Sequence, residues 1–332
     1  RIMNAALEDL LSHLNPEQAK AVTHPDGPLL VLAGAGSGKT RILTSRIAML
    51  ISRGVSRFHI LGATFTNKAA EEMRVRVARY VHEGVWISTF HSTCVQILRR
   101  DGNGVELKRN FSIYDDHDQL VLIKECLGEL NRSGRQIHPK GVREEIQRAK
   151  DFLLTPEAYR EQVQDSFEDT AAKVYQHYER KLSLLNACDF GDLILKTVFL
   201  FERNPEVLKA WQDRFQHILI DEYQDTNHAQ YRLVRLLAER YRNITVVGDP
   251  DQSIYAWRGA DIRNILDFEK DYPNSAVIKL EQNYRSTGHI LEASNALIQF
   301  NRARKPKRLW TEKEAGEKIT LVQVGDEREE AE

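Results

Sequence analysis

Lys39 and Thr40 follow three glycines at alternate positions, Gly34, Gly36 and Gly38, in the run P-L-L-V-L-A-G-A-G-S-G-K-T over residues 28–40. Glycine takes backbone conformations closed to side chains, so Gly34-Ala35-Gly36-Ser37-Gly38 can turn successive N–H groups inward and form a concave anion site. Lys39 adds a point charge for β- and γ-phosphates, and the Thr40 hydroxyl is placed to ligate Mg²⁺. The strict phosphate-loop pattern starts one position earlier with glycine; here that position is Ala33, a difference of one methyl group where a strand ends.

Two further stretches complement this cradle. His217-Ile218-Leu219-Ile220 is apolar and ends in Asp221-Glu222-Tyr223-Gln224-Asp225, and paired acids at the end of a buried strand are costly unless they bind something. Phosphoryl chemistry in a P-loop enzyme needs one carboxylate to hold Mg²⁺ and another group to position and deprotonate water; Asp221 fits the first role and Glu222 the second. The second stretch, Ile244 to Val247, ends in G-D-P-D-Q-S-I-Y-A-W-R-G. There Gln252 can sense a γ-phosphate, and Tyr255 and Trp257 present rings with Arg258 beside them, a stacking platform with a phosphate partner. Two core aromatics are the alternative, and the polar residues around them describe a loop.

These groups need rigid supports. Leu29 to Ala33 is too short for a typical helix and reads as a strand buried on both faces, followed by a helix with Leu43, Ile47, Leu50 and Ile51 on one stripe. A strand at 60–64 leads into Thr64-Phe65-Thr66-Asn67, and one at 85–88 into Thr89-Phe90-His91-Ser92. Both deliver polar and aromatic groups to the carboxyl end of a strand, where open α/β sheets bind ligands. Hydroxyls there suit a phosphodiester backbone and an exposed ring suits a base; loop polarity and a core Phe explain the same residues, and for His91 that is the preferred account. Asn15 and Pro16 open a helix in which Gln18 falls at the capping-box position, and its amide has the alternative of reading an adenine edge.

From about Val105 the pattern turns helical and charged, which reads as an insertion whose basic residues Lys140, Arg143, Arg148 and Lys150 form a solvated face or part of a DNA track. Asp189-Phe190-Gly191 matches a kinase tripeptide, but no kinase catalytic loop or strand lysine accompanies it. With 332 residues, 42% apolar, the prior is about two domains. No apolar run is long enough to cross a membrane, and three unclustered cysteines argue against a disulfide framework or zinc site. A reducing cytoplasm is the expected setting. A net charge of −1 means that nucleic-acid affinity must come from local patches.

The motifs N-P-E-Q, A-G-A-G-S-G-K-T, T-F-T-N-K-A-A, T-F-H-S, D-E-Y-Q-D, G-D-P-D-Q-S-I-Y-A-W-R-G-A and Q-N-Y-R-S occur in this order between Asn15 and Ser286. In this order they resemble the amino-terminal part of a superfamily 1A DNA helicase of the UvrD/PcrA/Rep type. The resemblance implies an α/β fold: a RecA-like P-loop lobe with a parallel sheet over residues 1–104 and 189–278, an all-helical insertion at 105–188, and the beginning of a second RecA-like lobe at 279–332. It implies ATP and Mg²⁺ as cofactors, Gln18 and Tyr284 on adenine, and Arg41 and Gln252 near the phosphates. Arg285 is implied as an arginine finger from the second lobe, and Thr64, Phe65, Asn67, His91, Tyr255, Trp257 and Arg258 as contacts to DNA. It further implies 3′-to-5′ movement on single-stranded and tailed duplex DNA in repair or replication, in the cytoplasm at the nucleoid, with the remaining carboxyl-terminal part of the same helicase as partner. The sequence reads as part of a longer protein, and without a completed second lobe Arg285 is expected to lack rigid support. A nucleotide- and DNA-binding module without turnover, and the motor of a helicase-nuclease, are the alternatives.

Overall fold

The computed structural model describes residues 8–81, 84–131, 137–302 and 304–325. Its centre is a six-stranded, all-parallel sheet of β1 (Leu29–Ala33), β2 (Ile60–Thr64), β3 (Trp86–Thr89), β6 (His217–Ile220), β7 (Asn243–Gly248) and β8 (Ala276–Leu280). Its strands run in the order β3-β2-β6-β7-β1-β8. A parallel sheet carries helices on both faces, so its central strands are largely apolar on both sides. In β1, Leu30 and Leu32 enter one core cluster, while Leu29, Val31 and Ala33 enter the other. In β6, Ile218 and Ile220 face the first cluster and Leu219 the second.

Between β3 and β6 the chain is mainly helical, with helices at Phe90–Asp101, Asp116–Glu129, Pro139–Asp151, Ser166–Leu184 and Phe190–Arg203. A third apolar cluster, built on Ile123, Ile146, Val174 and Tyr178, lies within this stretch. Composition did not disclose a short parallel pair, β4 (Ser112–Tyr114) with β5 (Ala187–Asp189), which ties the two ends of the helical stretch together. Two strands of three residues carry too little alternation to stand out from helical flanks.

Three expectations change. Lys150 is neither on a solvated face nor on a DNA track: its side chain is fully buried, paired with Glu179, Asp189 and Asp192. The strand ending at Leu280 crosses the expected lobe boundary at 278/279 and pairs along its whole length with β1, as the edge strand of the main sheet. Beyond it, the described residues hold the helix Gly288–Ile298 and one isolated bridge, Gln282 with Trp310, in place of the opening strands of another sheet. The alternating Ile319-Thr320-Leu321-Val322 is largely exposed and unpaired. Among the described residues no helix is long and apolar enough to cross a membrane.

Candidate nucleotide site and its aromatic flank

Because all six strands run the same way, the turns after β1, β6, β7 and β8 leave from one edge of the sheet. The first of them is the glycine loop. Gly36 and Gly38 have φ of 67° and 91°, the left-handed region that a side chain would strain, and Gly38 immediately precedes the helix Lys39–Ser52, whose N-terminus has no side-chain cap. Free N–H groups at a helix start and a loop built to turn inward are what an anion needs. Ser37 is buried and donates its hydroxyl to the Gly34 carbonyl at 2.7 Å, closing the loop on itself.

A cavity of about 300 Å³ sits over this loop, lined by residues 35–41 together with Arg76, Glu222, Gln252 and Arg285. Lys39 Nζ donates to Glu222 Oε2 at 3.0 Å and to Gln252 Oε1 at 3.1 Å. Thus Lys39, Thr40, Arg41, Glu222, Gln252 and Arg285, far apart in sequence, share one cavity. Arg76, not among the sequence candidates, reaches the cavity from the last turn of the helix Asn67–Val77.

Asp221 is buried and accepts the Glu222 N–H at 2.9 Å. Burial, and then the neighbouring Glu222, push its carboxyl up to about 6. Asp225 is likewise raised to about 6 by burial and by Glu222, and its Oδ1 is buried without a hydrogen-bond partner. Glu222 has a φ of 48°, a conformation that costs a non-glycine residue free energy and is held by its surroundings. Part of that hold is Gln224, which donates to Glu222 Oε2 at 2.7 Å and accepts the Asp249 N–H at 3.0 Å. A Cβ on Gly248 would come within 2.5 Å of Gln224 Oε1, so the last residue of β7 must be glycine-sized for this crosslink to form.

Gln18 is both a cap and a site residue. Its Oε1 accepts the Asn15 N–H at 3.0 Å, completing the capping box, and its Nε2 donates to the Ser37 carbonyl at 2.9 Å. The amide is buried against the loop with one N–H left over. Tyr284 is exposed and hydroxyl-bonded to Asn15 Nδ2 at 2.8 Å, so the two residues implied for adenine flank one helix start.

Arg285 does not lack support. The backbone N–H of Tyr284 donates to the Gly36 carbonyl at 2.9 Å, and buried Asn283 donates to the Ala35 carbonyl at 2.5 Å while its Oδ1 accepts the Arg285 N–H at 2.8 Å. The arginine is therefore docked on the glycine loop itself, by an Asx turn that follows from β8 lying beside β1. Asn283 stands in the Q-N-Y-R-S motif with no role of its own assigned, because its partners at residues 35, 285 and 286 show only in the fold.

The aromatic flank continues from the same edge. Trp257 is 74% exposed and Tyr255 38%, which removes the core explanation for both. Their centroids are 6.4 Å apart at 53°, and Arg258 Cζ lies 4.5 Å from the Trp257 ring and 5.2 Å from Tyr255. Phe65 is half-buried against Phe90, at 5.3 Å between centroids. His91, half-buried, with burial lowering its pKa, meets Phe190 edge-on at 6.0 Å. Phe190, set aside with its tripeptide, is 43% exposed and extends this flank. Asn67 is exposed at the start of its helix. Thr64 differs: it is buried, and its hydroxyl donates to the Thr66 carbonyl at 3.1 Å, shaping the turn and not facing outward.

Comparison with known proteins agrees with this geometry. The UvrD/REP helicase N-terminal domain matches residues 14–273, and the UvrD-like helicase C-terminal domain matches residues 278–332. The ATP-dependent DNA helicase PcrA of Bacillus subtilis is 53% identical over 329 residues, covering 98% of this chain and 44% of that protein. The helicases of the same name from Staphylococcus aureus and Staphylococcus epidermidis are 52% and 51% identical over 327 residues, each covering 97% of this chain. The chain spans about 45% of the length of these relatives. With its glycine loop, acidic pair and aromatic turn all falling inside the matched region, the chain belongs to the UvrD/REP helicase family.

Proposed function

We propose that this chain is the amino-terminal motor portion of an ATP-dependent DNA helicase that moves 3′-to-5′ on single strands and separates tailed duplexes in repair or replication, at the nucleoid in the cytoplasm. The observation that carries the reading is the single cavity holding the glycine loop, Glu222, Gln252 and Arg285, with the exposed Tyr255–Trp257 pair on the same loop as Gln252. The relatives named ATP-dependent DNA helicase support it. Residues 1–104 and 189–278 would form the first motor lobe, 105–188 an inserted helical block and 279–332 the start of the second lobe, with β8 as a shared seam.

Within this reading, nucleotide phosphates displace the Lys39 contacts to Glu222 and Gln252. Lys39 then neutralises β- and γ-oxygens, and the freed Glu222 orients and deprotonates the attacking water. Arg285 and Arg76 face the charge that develops on the transferred group. Mg²⁺ fits the chemistry of Asp221, a buried carboxyl at the end of β6 whose charged form is disfavoured by burial and by the adjacent Glu222 and would be stabilised by a divalent cation. Thr40 and Asp221 would hold it, and it would neutralise phosphate charge. Gln252 contacts the γ-phosphate and sits three residues before Tyr255, so loss of that phosphate changes the loop that carries the rings. The experiment is strand displacement by the full protein on 3′-tailed and 5′-tailed duplexes with ATP. Unwinding of 3′-tailed substrates alone is expected; equal unwinding of both, or none, would refute the proposal.

A further inference from the structure

We propose that Lys307 is a positioning residue for the nucleotide site, acting through Asp249 on the amide of Gln252; this rests on the reading of Gln252 as a γ-phosphate contact. Lys307 lies 58 positions from Asp249, yet its ammonium bridges Asp249 Oδ1 and Asp251 Oδ2, and the side chains of Lys307 and Asp249 are each only 3% exposed. Arg304 grips Asp251 with two bonds, Nε to Oδ1 at 3.1 Å and Nη2 to Oδ2 at 2.9 Å. Asp249 Oδ2 in turn accepts from Gln252 Nε2 at 2.8 Å, and Gln252 Oε1 accepts from Lys39 at 3.1 Å. An unbroken relay thus runs Lys307–Asp249–Gln252–Lys39, from the segment matched by the C-terminal domain to the phosphate cradle.

Physical chemistry gives each link a task. A buried carboxylate is tolerated when it is paired and hydrogen-bonded, and Lys307 is the paired cation of Asp249. With its charge held, Asp249 acts purely as an acceptor and fixes which end of the Gln252 amide faces it. That turns Oε1 toward Lys39 in the absence of nucleotide and leaves the second N–H free for a γ-phosphate oxygen. Without Lys307, Asp249 is an unpaired buried charge and swings toward water. The Gln252 amide then loses its fixed direction. The same relay makes γ-phosphate recognition depend on where residues 304–307 sit.

The test is equilibrium binding of ADP and of a non-hydrolysable ATP analogue to the full protein, by displacement of a fluorescent nucleotide. Lys307→Met is expected to lower the preference for the analogue over ADP by about tenfold, the size of one hydrogen bond to a charged group. Gln252→Ala is expected to lower it as much, and the double variant no further, while Lys307→Arg keeps most of it. A Lys307→Met effect that falls equally on both nucleotides, or adds to that of Gln252→Ala, would overturn the relay. An unchanged preference in Gln252→Ala would instead overturn the γ-phosphate reading beneath it. If Lys307→Met does not fold by thermal melting, Asp249→Asn must show the same coupled loss, because its amide no longer dictates the direction of Gln252.

Discussion

Lys150→Met tests whether the helix Pro139–Asp151 is fastened by charge to the helices Ser166–Leu184 and Phe190–Arg203. The lysine side chain is wholly buried, 2.5 Å from Glu179, 2.7 Å from Asp189 and 2.9 Å from Asp192, and Tyr178 donates to Asp189 at 2.9 Å. Burial alone would lower its pKa, but the three carboxylates outweigh that and hold it charged. Methionine fills the same volume, so the loss is electrostatic. Removing one partner of a buried ion pair costs about 3–5 kcal/mol. One escape is protonation: Glu179, which burial and then Asp192 push up to about 7, becomes neutral at little cost near neutral pH. Asp192 is, against burial, held low chiefly by Lys150 itself and then by Lys196, so removing the lysine loosens that hold and burial then favours its neutral form too. The expected loss is therefore about 3 kcal/mol at neutral pH, shrinking as pH falls toward 5 because the stranded acids take up protons that Lys150 previously made unnecessary. Urea unfolding at both pH values measures it. A loss under about 1 kcal/mol, or one that does not vary with pH, would refute the reasoning and recast the cluster as surface-like.

Glu222→Gln in the full protein should keep ATP binding and lose turnover by about 10² or more in steady-state hydrolysis, whereas Lys39→Ala should weaken nucleotide binding itself. Trp257→Ala should cost about 1–3 kcal/mol of single-strand affinity with little dependence on base sequence, read by fluorescence titration beside a thermal melt that stays unchanged. Mg²⁺ affinity should fall about tenfold per pH unit below pH 6, because Asp221 must give up its proton to bind metal, and level off above 7. The metal-free protein should behave oppositely: a carboxyl raised from its ordinary value favours the folded state at low pH, so the contribution of Asp221, about 3 kcal/mol, is lost as pH rises through 6. Calorimetric Mg²⁺ titration across pH 5–8 checks the first sign, and urea unfolding of the metal-free protein across pH 4–7 checks the second.

The parts of the site that were legible were those where backbone chemistry leaves a local mark. The loop needs glycine at positive φ, the helix start needs Asn15 and Gln18 three apart, and β1, β6 and β7 need unbroken apolar runs because both faces are covered. What stayed hidden was set by distant pairing. Lys150 has the same neighbours in sequence as any solvated helix lysine, and it is the distant carboxylates of Glu179, Asp189 and Asp192 that make it internal. Thr64 looked like an exposed hydroxyl because its bond to Thr66 is a turn detail that no periodicity records. The relay from Lys307 to Gln252 joins residues more than fifty positions apart, each of which alone reads as loop polarity.

The placement of Arg285 shows how far such pairing reaches into mechanism. Because β8 completes the main sheet beside β1, Asn283 and Tyr284 dock on the carbonyls of Ala35 and Gly36, and a Cβ at Gly36 would lie 2.6 Å from Asn283 Nδ2. The arginine is thus carried by the turn that follows β8. For a rigid neighbouring body to withdraw Arg285 between turnovers, these backbone contacts must open as well, each costing about 1 kcal/mol. Short of that, Arg285 stays in the cavity over the glycine loop, and under the proposed function any gating of the site has to act on Gln252, through the loop of Tyr255 and Trp257 on one side and Lys307 on the other.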